Sequence, residues 1–271
     1  MTIYQNQYWG YELLVPDGWF QNHHSENDTN SFSPNKPETE NTKEEEEEEE
    51  EEISQLLIRC EWMFPPRPIE PIWRQHIGLT AGVMGAKNVG SAPWVHANSE
   101  GFETEIILPK RSNTRLWAGI LAKNFMVMKF MLTHPRKDHD WLQPIATELI
   151  KSIWFPEKMD HVEQTPAGIP LPSNWIQTDP SKWVPDIQDL GKWSAYIGAA
   201  NIGMLQYFYV REVIAYGWKI IDFSAFPGNA NLGFSKLRIE KAGQTATIGI
   251  LPAEEENISV QSPAVIVIKF E

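Results

Sequence analysis

Tyr11-Glu12-Leu13-Leu14-Val15-Pro16-Asp17-Gly18-Trp19 opens with a short apolar run that stops at a turn signal. Proline presets φ and glycine accepts φ > 0, so these nine residues read as strand, turn, strand. The grammar returns later in the chain, where Leu171-Pro172-Ser173-Asn174-Trp175 echoes Val15-Pro16-Asp17-Gly18-Trp19. Five residues are too few to establish a duplication. They do predict that each half of the chain opens in the same way.

Downstream of the first turn the composition shifts to Asn, Ser, Thr, Glu and Pro and runs into nine consecutive glutamates, Glu44 to Glu52. Adjacent like charges repel and nothing there can be buried, so a disordered insertion is expected at about 21–53, one whose excision between Asn27 and Glu51 leaves the fold intact. Period-2 alternation resumes at Leu56, with Leu56, Ile58, Cys60, Trp62 and Phe64 on one side of a strand and Cys60 facing inward. Prolines 65, 66, 68 and 71 end that strand and open a helix in which Ile69, Trp73, His76 and Ile77 or Thr80 recur before Gly82 and Gly85. Strands are then predicted at Phe102 to Leu108, Leu116 to Lys123 and Phe125 to Thr133, an antiparallel meander. Asp140 is read as the N-cap of a helix with Leu142, Ile145, Leu149 and Ile153 on one face.

The first domain therefore covers 1–156, a linker 157–170, and a second module 171–271. In the second module Asn201 is placed to cap a helix with an apolar stripe of Ile202, Leu205, Tyr209, Val213 and Tyr216, and Gly217 stands where a left-handed residue ends it. Strands follow at Trp218 to Phe226, Phe234 to Glu240, Thr245 to Leu251 and Ala264 to Phe270. The last is apolar throughout, as in a strand covered on both faces or paired with a partner. The fold class is α+β: two modules, each an antiparallel sheet packed with helices.

Composition excludes several function classes. With 42% apolar residues and 12 tryptophans among 271, the chain can bury a core. Its net charge of -13 comes mostly from the glutamate run; outside it stand 27 acidic and 23 basic residues with no basic stripe, so nucleic acid is not an expected partner. Phe125 to Leu132, the most apolar stretch, is broken by Lys129 and is far shorter than the ~20 residues of a membrane span. The N-terminal MTIYQNQYWGYELLV lacks a basic region followed by a long apolar one, and a lone cysteine makes no intramolecular disulfide; a cytoplasmic location is the expectation.

The order of strand, V-P-D-G-W turn, strands, helix, three-stranded meander and terminal amphipathic helix resembles the PsbP-like fold. That fold is shared by a photosystem accessory protein, a Ran-binding nuclear-transport factor and bacterial proteins of unknown role. The resemblance spans Tyr4 to Phe155 and is carried by residues 11–19 and by Glu148-Leu149-Ile150-Lys151-Ser152-Ile153-Trp154-Phe155. The acidic insertion after Trp19 departs from it. The second half is similar to small bacterial modules whose helix carries F-Y near its middle and ends in G-W, here Phe208-Tyr209 and Gly217-Trp218. What the resemblance implies is a non-enzymatic binding or assembly module, with no active-site motif to carry over.

No segment carries a catalytic signature. His134-Pro135-Arg136-Lys137-Asp138-His139-Asp140 holds two His and two Asp, but matches no metal-ligand spacing and suits a turn leading into a capped helix. His23-His24 falls in the insertion, where a solvated loop accounts for it. Cys60, on an inward strand position, reads as a core filler rather than a nucleophile. Glycines 78, 82, 85 and 90 form no phosphate-binding motif, and Glu103 and Glu105 fit a solvated sheet face. Trp9, Trp19, Trp62, Trp154, Trp175 and Trp218 are placed in the core. Trp94, Trp183 and Trp193 lie beside Pro, Asp or Gly and are the candidate protein-binding residues. The expected function is a non-enzymatic protein-binding module, an adaptor, assembly factor or chaperone, with no cofactor; the partner and the oligomeric state stay open. The alternative is a small-molecule or lipid-binding protein, or a cryptic enzyme, using a cleft between the modules.

Overall fold

The computed structural model describes residues 1–22, 28–34, 54–86, 90–109, 111, 113–160, 162–226, 234–253 and 263–271. They form an α+β protein of two compact units. The first comprises Met1–Gln5, Tyr11–Glu61 and Pro65–Phe155; the second comprises Asn6–Gly10, Trp62–Phe64 and Pro156–Glu271.

In the first unit a hairpin of β1 (Thr2–Asn6) and β2 (Tyr11–Val15) precedes β3 (Phe20–Gln21), β4 (Thr29–Ser33), β5 (Gln55–Trp62), α1 (Ile69–Met84), β6 (Ala92–His96), β7 (Ser99–Ile107), β8 (Thr114–Lys123), β9 (Met126–Pro135) and α2 (His139–Lys151). The turn after β2 forms as the sequence predicts, with Gly18 at φ 82° and the Trp19 N–H bonded to the Pro16 carbonyl at 3.0 Å. Seven strands make one sheet in the order β3-β4-β5-β9-β8-β7-β6, with β3-β4-β5 and β9-β8-β7-β6 each antiparallel. The Trp73 ring of α1 stacks on Phe102, whose cross-strand neighbour is Ile120. His139 at the start of α2 meets His134, whose neighbour is Arg115. Residues 115 and 120 of one strand point to opposite faces, so the two helices cover the sheet from both sides. Leu56, Ile58 and Cys60 are buried, as the alternation requires.

Three expectations need correction here. Part of the supposed insertion is β4, which pairs with β5 and buries Asn30, Ser31, Phe32 and Ser33. Its polar side chains are satisfied inside the unit: Asn30 Nδ2 donates to the Tyr11 hydroxyl at 3.1 Å and Ser33 Oγ to Asn22 Oδ1 at 2.9 Å. His23-His24 and the glutamate run lie outside the described residues. A further strand, β6, sits at the sheet edge, where Pro93 removes no hydrogen bond that a central strand would need. Finally, α2 begins at His139, so Asp140 lies in its first turn rather than capping it; there its charge still favours the helix N-terminus.

The second unit contains β10 (Glu163–Gln164), β11 (Pro170–Leu171), β12 (Ile176–Thr178), β13 (Trp193–Ala199), α3 (Ile202–Ala215), β14 (Lys219–Ser224), β15 (Ser235–Lys241), β16 (Gln244–Pro252) and β17 (Pro263–Phe270). Residues 157–170, expected as a linker, lie within it: β10 pairs with β11, and Met159, Val162 and Ile169 are buried. Turn residues masked the sparse apolar anchors of that stretch. Asn201 caps α3, its side chain accepting from the Met204 N–H at 2.9 Å, and Gly217 follows the helix at φ 78°. Ala242 and Gly243, both at positive φ, close the hairpin between β15 and β16.

The six-stranded sheet runs β12-β13-β17-β16-β15-β14. In each unit the strand before the long helix lies beside the last strand, and the meander returns outward from there. The echoed turns match as well, since Asn174 has φ 65° where Gly18 has 82°, and Trp175 is buried like Trp19. Central β17 is apolar because it is covered on both faces. Ile266 and Ile268 continue the buried row of Ile248, Ile250 and Leu237. On the other face Val265 and Val267 join Ala195 and Ala253 beneath Trp183, Val184 and Trp193.

Candidate functional site

The site that combines geometry with chemistry lies at the β6–β7 edge of the first unit. β6 pairs with β7 only from Ala92 opposite Glu103 to His96 opposite Ser99. No described strand pairs with Thr104–Ile107 on that flank, whereas β8 pairs with them on the other. An unpaired strand edge presents a row of free N–H and C=O groups and is a template for another chain. Beside this edge opens a depression of about 480 Å³ lined by Gly90, Ser91, Ala92, Glu103, Thr104, Glu105 and Trp117. Its Ser91 wall is fixed from behind by the Trp73 indole, which donates to Ser91 Oγ at 2.9 Å.

Alternation along β7 puts Glu103, Glu105 and Ile107 on one face, across from Gly119, Trp117 and Arg115 of β8. Trp117 Nε1 donates to Glu103 Oε2 at 3.1 Å, and Arg115 forms an ion pair with Glu105 at 2.5 Å. Among the described residues Glu103 has no cationic partner. Trp94 meets Trp117 edge to face at 5.6 Å and Phe130 at 5.4 Å, and its other neighbour, His96, lies stacked at 5.9 Å. Gly119 makes the arrangement possible, because a Cβ there would come within 2.7 Å of the Trp117 ring and 3.1 Å of Trp94. Burial pushes the His96 imidazole below its ordinary 6.5, with the backbone of Ile153 and Ile150 opposing, so the ring stacked on Trp94 is neutral at pH 7.

The structure places the candidate tryptophans in different settings. Trp94 belongs to this edge. Trp183 and Trp193 instead pack over Val265 and Val267 in the second unit, where Trp193 Nε1 donates to the Gln188 carbonyl at 3.1 Å and Lys269 lies 5.3 Å over its ring. Of the histidine-aspartate cluster, His134 and His139 approach to 5.4 Å between ring centroids, but His134 Nδ1 contacts the Pro135 carbonyl and Asp138 accepts from the Trp141 indole. Among the described residues no three His, Cys, Asp or Glu side chains are grouped to hold a metal ion. Cys60 is buried, and burial, with Asp28 and Glu61 adding to it, pushes its thiol well up, away from the thiolate. Glu103 and Glu105 lie on a half-exposed to exposed sheet face, and there they meet Trp117 and Arg115. Trp117 and Arg115 went unnoticed in the sequence, and the signal for them is the register that puts both opposite the glutamates.

The fold defines the class as an α+β protein built of helix-covered antiparallel sheets. No protein-family model matches the chain, and no curated protein matches it. Part of it is similar to the PsbP-like fold in solved structures. Cyanobacterial PsbP (CyanoP) from Synechocystis shares 11% identity over 57% of this chain and 92% of its own, with a TM-score of 0.41. The Ran-binding protein Mog1p of Saccharomyces cerevisiae shares 8% over 53% and 89%, with a TM-score of 0.35. LpqN of Mycobacterium tuberculosis, involved in cell envelope biogenesis, shares 10% over 54% and 83%, also at 0.35. No helix among the described residues is long and apolar enough to cross a membrane.

Proposed function

We propose that the protein is a non-enzymatic protein-binding module, working in the cytoplasm as an adaptor, assembly factor or chaperone, and that it binds through the β6–β7 edge. The observation that carries the reading is the open depression beside the flank of β7 that no described strand pairs, walled by an indole and two carboxylates. Exposed backbone edges give affinity to extended segments, and half-buried aromatic and charged side chains beside them give specificity.

The test compares the full-length protein with a Glu103→Gln/Glu105→Gln double variant. Both substitutions keep an acceptor oxygen for Trp117 and Arg115, so folding is preserved. Each is used as bait in an extract of the native host, and the captured protein is then purified and its affinity measured for both. The wild type binds that partner more tightly than the variant if the edge is the site. Equal affinities would sink the assignment.

A further inference from the structure

We propose that the depression takes a lysine or arginine side chain from an extended partner segment that pairs with β7 along Glu105–Ile107. This deepens the reading above and rests on it. The occupant follows from the walls. An indole face attracts a cation through its ring quadrupole, and carboxylates beside it accept charge-assisted hydrogen bonds. Here the indole of Trp117 is held in place by its own bond to Glu103, which leaves the second carboxylate oxygen of Glu103 for an incoming donor. Arg115 already neutralises Glu105 in part. Two carboxylates against one guanidinium leave the row one negative charge in excess, so the complementary side chain is cationic.

The strand edge specifies the rest of the segment. Side chains on an added strand alternate between faces, and those opposite each other across a pair are in contact. Glu103 on this flank already faces Ala92, so an added residue faces Glu105 and reaches Glu103 only along the diagonal; that residue is therefore basic, while one facing Ile107, which is 73% exposed, is apolar. Free lysine or arginine would satisfy the depression but leave the edge unpaired, which is why a peptide is the occupant rather than a small cation.

The probe is a blocked peptide of alternating threonine and lysine, added to isotope-labelled full-length protein while the Trp117 indole N–H and the Glu105–Ile107 amides are followed by NMR. A second peptide has glutamine in place of every lysine, and a third sample contains lysinamide alone. The lysine peptide is expected to shift the Trp117 and β7 signals, with binding weakened roughly tenfold by Glu103→Gln/Glu105→Gln, as for two half-exposed ion pairs, and weakened further as salt rises. An equal response to the glutamine peptide would overturn the cationic assignment. An equal response to lysinamide would overturn the strand, and self-association abolished by the double variant would make a second copy the occupant. Silence of Trp117 toward every probe, with the host partner still discriminating wild type from variant, would remove this inference and leave the protein-binding reading standing.

Discussion

Trp117 Nε1 and Glu103 Oε2, 3.1 Å apart across β7 and β8, lock an aromatic ring and a carboxylate into one rigid wall. Neither side chain is disposable for the other. The ring loses its anchor without the carboxylate, and the carboxylate loses the donor that keeps it turned toward the depression. Such mutual positioning suits a surface that must present one geometry to a partner before the partner arrives, because it lowers the ordering cost of binding.

Gly119→Ala tests how closely the wall is packed. The added Cβ meets both Trp117 and Trp94, and overpacking of this kind costs about 1–3 kcal/mol. The variant should melt at lower temperature and show altered tryptophan fluorescence. An unchanged melt would mean the rings have room to move.

His96 supplies a pH signature. Its value in the folded state lies below the ordinary 6.5, so its neutral form contributes stability that is fully present above 6.5 and is lost as the pH falls through 6.5 to the lower folded value. Melting followed from about pH 8 down to about pH 5 should show this loss in the wild type and a smaller one in His96→Gln. The same decline in both would assign it to other groups.

Arg211 tests the packing of the second unit. Its guanidinium donates to the Gln7 and Tyr8 carbonyls at 2.7 and 3.2 Å and to Glu212 Oε1 at 2.7 Å, and it fills the space above Gly10. Burial pushes the Glu212 carboxyl up despite this partner. Arg211→Met strands a buried carboxylate and should cost roughly 3 kcal/mol at neutral pH. Because protonated Glu212 needs no cation, the penalty should shrink as the pH falls through the raised Glu212 value. Urea unfolding across that range gives the answer.

Deletions distinguish β4 from the glutamate run. Removing Asn27 to Glu51, which the sequence alone marks as tolerable, takes out β4 and the fully buried Phe32, and should abolish cooperative unfolding. Removing Glu44 to Glu52 shortens a connection and should leave the melting temperature nearly unchanged. Equal behaviour of the two deletions would contradict the place given to β4.

What was legible in the sequence is what depends on local signals. Pro16-Asp17-Gly18, the alternation from Leu56 to Cys60, and the Asn201 cap with Gly217 all act within a few residues, and each forms as expected. The strand Thr29–Ser33 escaped because its burial is achieved by bonds from Asn30 to Tyr11 and from Ser33 to Asn22, which no hydropathy pattern contains. Ala92–His96 escaped because Pro93 argues against a strand everywhere except at an edge. At the site, Trp94 was visible through its neighbours, whereas Trp117 gains its role only from the register that sets it beside Glu103 and Glu105. Trp183 and Trp193 carried the same local cues as Trp94 and cover a sheet face instead.

The most direct measurement of the binding edge is hydrogen exchange at the backbone amides of Glu105 and Ile107, the two that alternation turns away from β8, with and without the partner captured from the native host. If a partner strand adds to β7 these amides become protected on binding, together with the Trp117 indole N–H. Protection elsewhere with Glu105 and Ile107 unchanged would contradict the account.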